Sequence, residues 1–246
     1  MTIKICKSIL TQPLKASNIG CLAELGIFPV NIDIFQRMAM YYKRLNENSN
    51  NLSNSLLNSA YQEDIKISQS NPKLSWYAAI QNIFKKYDIS PTTISRQNIK
   101  SSIESKFNNL LAESCGPNHK LRTFGLFKKK FNNTPKYLEV VNNKKFKIAM
   151  STLRLSTHQL AIERGRYLKI PLQDRFCKKC NASKIESEQH LLMECQKYED
   201  LRKQYIYQTL DNTGLTFSFA NLFYPPSIIA TSVAAFVYFS FLRRDI

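Results

Sequence analysis

Glycine and proline are scarce in this 246-residue chain, six and nine in all. An all-β sandwich or barrel needs turn residues at short, regular intervals, so the scarcity argues against that class. Acid is scarce as well, with 18 Asp and Glu against 35 Lys and Arg, for a net charge of +17. A membrane-spanning run is also missing: the apolar stretch from Ser227 to Leu242 is sixteen residues long, short of the ~20 that cross a bilayer. Its Ile228, Ile229, Val233, Phe236 and Val237 suit a buried helix, and no membrane partner is expected. The first residues, Met1 to Lys7, hold no continuous apolar core, so no signal peptide is expected. Cys6, Cys21 and Cys115 are scattered and odd in number, which suits a reducing compartment better than a secreted disulfide framework. An intracellular protein, nuclear or cytoplasmic, is the expectation.

What the chain does contain is enough apolar and aromatic material for a real core, 43% hydrophobic with fifteen Phe and twelve Tyr. Much of it recurs at helical spacing. Ile34, Phe35, Met38, Tyr41, Tyr42 and Leu45 form one stripe, and Tyr77, Ile80, Ile83, Phe84 and Tyr87 another. Ile99, Ile103, Phe107, Leu110 and Leu111 form a third, ended by Gly116-Pro117. These read as core faces of helices. Asn46 to Ser55 reads as a loop, and a helix is expected from Leu56 to Ile65. Thr134-Pro135 predicts an N-cap followed by proline at the first helical position, and Lys144 to Tyr167 predicts one long helix.

The charge is concentrated. Between Lys120 and Cys180 there are sixteen basic residues and three acids (Glu139, Glu163, Asp174), +13 of the total, leaving +4 for the rest. Such a concentration fits a surface that binds phosphates, because each phosphate neutralised releases counterions. Lys128, Lys129, Lys130, Lys144, Lys145, Arg154, Arg164 and Arg166 are the candidate phosphate contacts. Interleaved aromatics such as those of Leu121–Phe131 could stack on bases, although most are better placed as core.

Directly after the basic stretch comes Cys177-x2-Cys180-x9-His190-x4-Cys195. Thiolates and imidazole are the ligands that a structural Zn²⁺ takes, four in a tetrahedron. The two residues between Cys177 and Cys180 let one tight turn aim both sulfurs into the same cavity. His190 and Cys195 are different: five residues apart is about 140° around a regular α-helix. A helical turn that ends or distorts near Cys195 is therefore expected. With all four positions filled by protein, no open position remains for a catalytic water, and one structural Zn²⁺ is the expected cofactor.

Leu153-Arg-Leu-Ser-Thr-His-Gln-Leu-Ala-Ile-Glu-Arg-Gly-Arg-Tyr167, Arg175-x-Cys-x2-Cys, Ile185-Glu-Ser-Glu-Gln-His and Cys195-x2-Tyr-x3-Arg202 together resemble a known family. It is the C-terminal region of non-LTR (LINE-like) retrotransposon open reading frames, with a reverse-transcriptase zinc-binding domain. Cys6–Leu10, Glu24–Pro29, Leu74–Trp76, Leu121–Lys128 and Phe241–Arg244 are similar to the same pattern. The resemblance implies zinc on Cys177, Cys180, His190 and Cys195, a nucleic-acid partner (RNA or DNA) and a polymerase-bearing retroelement protein as possible companion. It does not imply polymerase activity, because no Asp-Asp pair for two metal ions occurs in the chain. Many relatives carry proline after the last ligand, where this chain has Gln196. The chain is then a retroelement fragment, or a separate gene derived from one.

The expected fold is mainly α-helical, a helical array with an inserted small CCHC zinc knuckle. Four parts are expected: a helical post-polymerase (thumb- or connector-like) region at 1–118, a basic helical segment at 119–176, the CCHC module at 177–210, and a C-terminal helical segment at 211–246. The expected function is non-catalytic zinc and nucleic-acid binding. The alternative is a zinc-stapled protein-interaction module, favoured by Glu186, Glu188, Glu194, Glu199 and Asp200 in the second half of the motif. A nuclease could be read from Asp64-Ile-Lys66 or Glu104-Ser-Lys106, but neither has an evident aspartate partner upstream. His119 and His158 have no nucleophile spaced to work with them.

Overall fold

The computed structural model describes residues 2–29, 31–47, 56–131 and 133–245. Most of the Asn/Ser-rich stretch expected as a loop lies outside the described residues. What is described is mainly helical, and the one β-type contact is an isolated antiparallel bridge between Phe176 and Ile185.

In chain order the helices are α1 (Thr2–Ile9), α2 (Asn18–Leu25), α3 (Asn31–Glu47), α4 (Leu56–Ser70), α5 (Trp76–Tyr87) and α6 (Arg96–Glu113). They continue with α7 (Phe124–Phe127), α8 (Lys136–Val140), α9 (Lys144–Arg154) and α10 (Ala161–Tyr167). After the Cys/His segment come α11 (Glu199–Arg202), a π-type turn at Lys203–Tyr207, α12 (Gln208–Thr213), α13 (Phe219–Phe223) and α14 (Ser227–Asp245).

These elements gather into two compact units, one of residues 28–109 and one of residues 1–27 with 110–246. The region expected as a single stretch to residue 118 is thus shared between them. Within the 28–109 unit, Ile80, Phe84, Tyr87, Ile99 and Ile103 form the core that their helical spacing predicts. Trp76, the only tryptophan, meets Tyr41 and Tyr61 edge to face. Ser75 caps α5 through Ala78 N–H, at 3.1 Å. The Asp64 carboxylate accepts the next amides, from Trp76 at 3.2 Å and Tyr77 at 2.7 Å. That is a helix-capping role, since a carboxylate satisfies donors that the first turn leaves open. Glu104 pairs with Lys100 at 3.8 Å, and Lys66 pairs with Glu63 at 3.1 Å.

In the other unit, α14 packs on α8, α9 and the 203–207 turn. By length and composition α14 is long and apolar enough to cross a membrane, and 44% of that window is buried. Ile229, Ala230, Val233, Ala234, Phe236 and Val237 lie in the core with Met150, Leu153, Leu192 and Ile206, so that face of the helix is protein core.

Two local expectations need correction. The helix after Thr134 starts at Lys136, with Pro135 extended at ψ 138°, and the Thr134 hydroxyl donates to the Leu25 carbonyl instead. The long helix over Lys144–Tyr167 is two helices, α9 and α10. Ser156 takes a left-handed φ of 51°, and Thr157 N–H bonds back to the Thr152 carbonyl at 3.0 Å. Short polar side chains offer the backbone partners that compete with helix continuation, and Ser156-Thr157-His158 does so here.

Candidate metal centre and basic face

A small hairpin carries the first two cysteines. Cys177 N–H donates to the Lys184 carbonyl at 2.8 Å and Glu186 N–H to the Arg175 carbonyl at 3.0 Å, flanking the Phe176–Ile185 bridge. The second two ligands come from a distorted helical turn. His190–Glu194 is wound as a π turn, with Cys195 N–H donating to the His190 carbonyl at 2.8 Å, and Cys195 itself is extended at ψ 117°. An i→i+5 turn brings residues five apart back to one side, which regular α winding could not do.

Cys177, Cys180, His190 and Cys195 consequently converge: their ligand atoms all lie within 4.8 Å of one another. Cys177 and Cys195 Sγ are 3.9 Å apart, and Cys180 Sγ is 3.3 Å from His190 Nε2. Cys177, His190 and Cys195 are buried. The group could hold a metal ion. Its electrostatics point the same way: the hydrogen bond from Cys195 draws the Cys177 thiol well below its ordinary range, while that neighbour pushes Cys195 up. Hydrogen bonding to Cys177 also raises His190. The cluster thus favours a thiolate at Cys177.

Two residues around the cage have roles that spacing alone did not reveal. Arg202, almost fully buried, donates to the Cys195 carbonyl at 2.5 Å and the Leu191 carbonyl at 3.2 Å. It therefore satisfies carbonyls on both sides of the ligand turn. Glu186 ties the hairpin to two helices. Its carboxylate accepts Ala161 N–H at the start of α10 (2.6 Å) and a two-pronged grip from Arg244 in α14 (2.9 Å each). The cue to both was present, as parts of the patterns Cys195-x2-Tyr-x3-Arg202 and Ile185-Glu186, but nothing in the spacing said what they touch.

The acids of the motif are either buried or paired. Glu186 and Glu188 are 3% and 1% exposed. Glu188 meets Arg122 at 3.1 Å, Thr123 at 3.1 Å and His158 Nε2 at 3.1 Å, which makes His158 a buried polar contact. Glu194, Glu199 and Asp200 face Lys184, Arg202 and Arg243. The acidic half therefore does not present an unpaired negative face.

The eight candidate phosphate contacts divide. Lys129, Lys130, Lys144, Lys145 and Arg164 are exposed. Arg166 is half-buried, bonded to Glu163 at 3.1 Å and lying over the Tyr167 ring at 4.6 Å. Lys128 and Arg154 are corrections, because neither reaches solvent. Lys128 is buried, its ammonium bonded to the Asn133 carbonyl, and burial lowers its pKa. Arg154 is 0% exposed; its guanidinium grips Glu24 at 2.6 and 2.9 Å and the Phe223 carbonyl at 2.7 Å. Four rings, of Phe124, Tyr137, Phe223 and Tyr224, surround it. A buried cation is stable only when paired and hydrogen-bonded, and Glu24, more than a hundred residues away, provides the pair.

Set beside known protein families, characterised proteins and solved structures, the chain matches none of them.

Proposed function

We propose that this chain is a non-catalytic nucleic-acid-binding module stapled by one structural Zn²⁺, and that it is the C-terminal portion of a retrotransposon reverse-transcriptase-type protein. The observation that carries the reading is the convergence of three thiols and one imidazole in one cage, directly after a stretch of sequence that carries +13. Two edges of the cage suit zinc in size, within a cluster whose ligand atoms lie up to 4.8 Å apart. Tetrahedral Zn–S bonds of about 2.3 Å set sulfurs about 3.8 Å apart, against the 3.9 Å between Cys177 and Cys195. A sulfur–nitrogen edge is about 3.6 Å on the same basis, against 3.3 Å between Cys180 and His190. Four protein ligands complete the coordination of such an ion, which favours a folding role over a hydrolytic one.

Nucleic acid as partner is supported by the charge: +13 within one quarter of the chain, with Lys129, Lys130, Lys144, Lys145 and Arg164 outward. The retroelement assignment rests on the resemblance of Leu153–Arg202, and an intracellular setting follows from it. A protein-interaction surface is less favoured, since Glu186 and Glu188 are buried and the outer acids are paired.

The test has two parts. Purified protein should contain one zinc per chain, lost in Cys177→Ser together with helical circular dichroism. Binding to RNA or DNA should weaken steeply as salt rises, and the slope should shrink in Lys144→Glu/Lys145→Glu. Affinity indifferent to salt would overturn the phosphate-dominated mode.

A further inference from the structure

Beside the metal cage a cleft of about 450 Å³ opens between α10 and the Cys177–Cys180 loop. It is of the size that takes a small ligand or one unit of a polymer. Arg164, Lys178, Lys179, Phe176 and Leu168 are among its walls. A second hollow of about 200 Å³ shares Arg164 and Leu168 with it and adds Lys15 and Tyr167. The two hollows therefore meet along Arg164.

Two aromatic rings stand exposed along this line, Phe176 at 46% and Tyr167 at 53%. Elsewhere in the basic stretch the rings are inward: Phe124, Phe131 and Tyr137 are buried. The cations also differ from their neighbours. Arg175 is occupied by the Ile162 and Ile170 carbonyls, and Arg244 by Glu186. Arg164, Lys178 and Lys179 make no ion pair among the described residues, and of the two acids that line the cleft with them Asp174 is exposed and Glu186 is buried. Lys15 sits over the Tyr167 ring at 5.5 Å.

The floor of the cleft is rigid. A Cβ on Gly165 would come within 2.6 Å of Arg175 Cγ. That side chain cannot swing away without breaking its three carbonyl bonds. Gly165 thereby lets α10 lie directly on the segment that leads into Phe176 and Cys177.

An exposed aromatic face among cations without an ion-pair partner, as at Phe176, is what a single-stranded nucleic acid recognises, whereas Tyr167 already has Arg166 and Lys15 over its ring. Bases stack on the rings and phosphates track the charges, whereas the bases of a duplex are already stacked on one another. We propose that this cleft seats unpaired nucleotides, RNA or DNA, with Phe176 as the stacking platform and Arg164, Lys178 and Lys179 holding the backbone. The proposal rests on the nucleic-acid reading above and names the part of the surface and the form of nucleic acid.

The experiment is fluorescence anisotropy on the intact zinc-loaded chain, with short labelled homopolymer strands of RNA and of DNA and a duplex of matched length. Single strands of at least one sugar type should bind more tightly than the duplex. Phe176→Leu, which keeps an apolar side chain but removes the ring, should weaken single-strand binding at least about fivefold and leave duplex binding unchanged. Phe176→Trp should restore it. Arg164→Ala should reduce the salt slope. Equal zinc content in the variants separates lost stacking from lost folding. If single strands bind but Phe176→Leu binds them as well as the parent, the cleft is not the seat, although the nucleic-acid reading stands. Tighter binding to duplex than to single strands also overturns the proposal. If no form binds even at low salt, both readings fall.

Discussion

Arg154 shows how far one side chain can depart from what its neighbourhood in the sequence suggests. It lies in the basic stretch, yet it is wholly buried and bonded to Glu24. Tyr137 adds a 2.7 Å bond to the same carboxylate, so three side chains from α2, α8 and α9 close one polar knot. Removing one member of a buried pair leaves the other charge without compensation, at about 3–5 kcal/mol, whereas removing both together costs much less. Glu24→Gln and Arg154→Met should each lower the unfolding free energy by about that amount in a denaturant titration, and the double variant should lose less than the sum. A fully additive double variant would show that the two do not act as a pair. Spacing and local charge cannot reveal such a partner, because nothing near Arg154 in the sequence points to a residue in α2.

At the level of elements, the cage was the most legible part of the chain. Ligand type and spacing selected four residues that converge within 4.8 Å, and the angle between positions 190 and 195 required the break that the π turn supplies. The helical stripes gave the cores of α5 and α6 for the same reason: period alone decides which side is apolar. The break at Ser156 was not legible, since apolar spacing runs on through Leu155, Leu160 and Ile162 while short polar side chains redirect the backbone. Nor could the role of Arg202 be read, because its partners are carbonyls, which every residue has. Groups that orient metal ligands typically matter about 10–100-fold in affinity. Arg202→Met should weaken zinc by about that factor in competition with a chromophoric chelator. Unchanged affinity would reduce Arg202 to a packing residue.

For the whole molecule, the division into two units gives a separate reporter. Trp76 belongs to the 28–109 unit and is the only tryptophan, while the metal cage belongs to the other. Binding energy of a structural metal is folding energy for the part that it closes. Chelation should therefore reduce helical circular dichroism and expose Cys177, Cys180 and Cys195 to thiol reagents, with the Trp76 emission maximum unmoved. A red shift of Trp76 in step with the loss of metal would mean that the two units unfold as one.

The turn at His190 also bears on which changes in length this segment can absorb. Four residues separate its two ligands, and the wide winding takes up the one that an α-helix would misdirect. Deleting a residue between them would leave the pair four apart, where ordinary α winding restores a shared face. Inserting one would place them six apart, about 120° around a regular α-helix and so again on different faces. The segment thus has an asymmetric tolerance to insertion and deletion, and shortening, not lengthening, is the change through which a metal-binding descendant could pass.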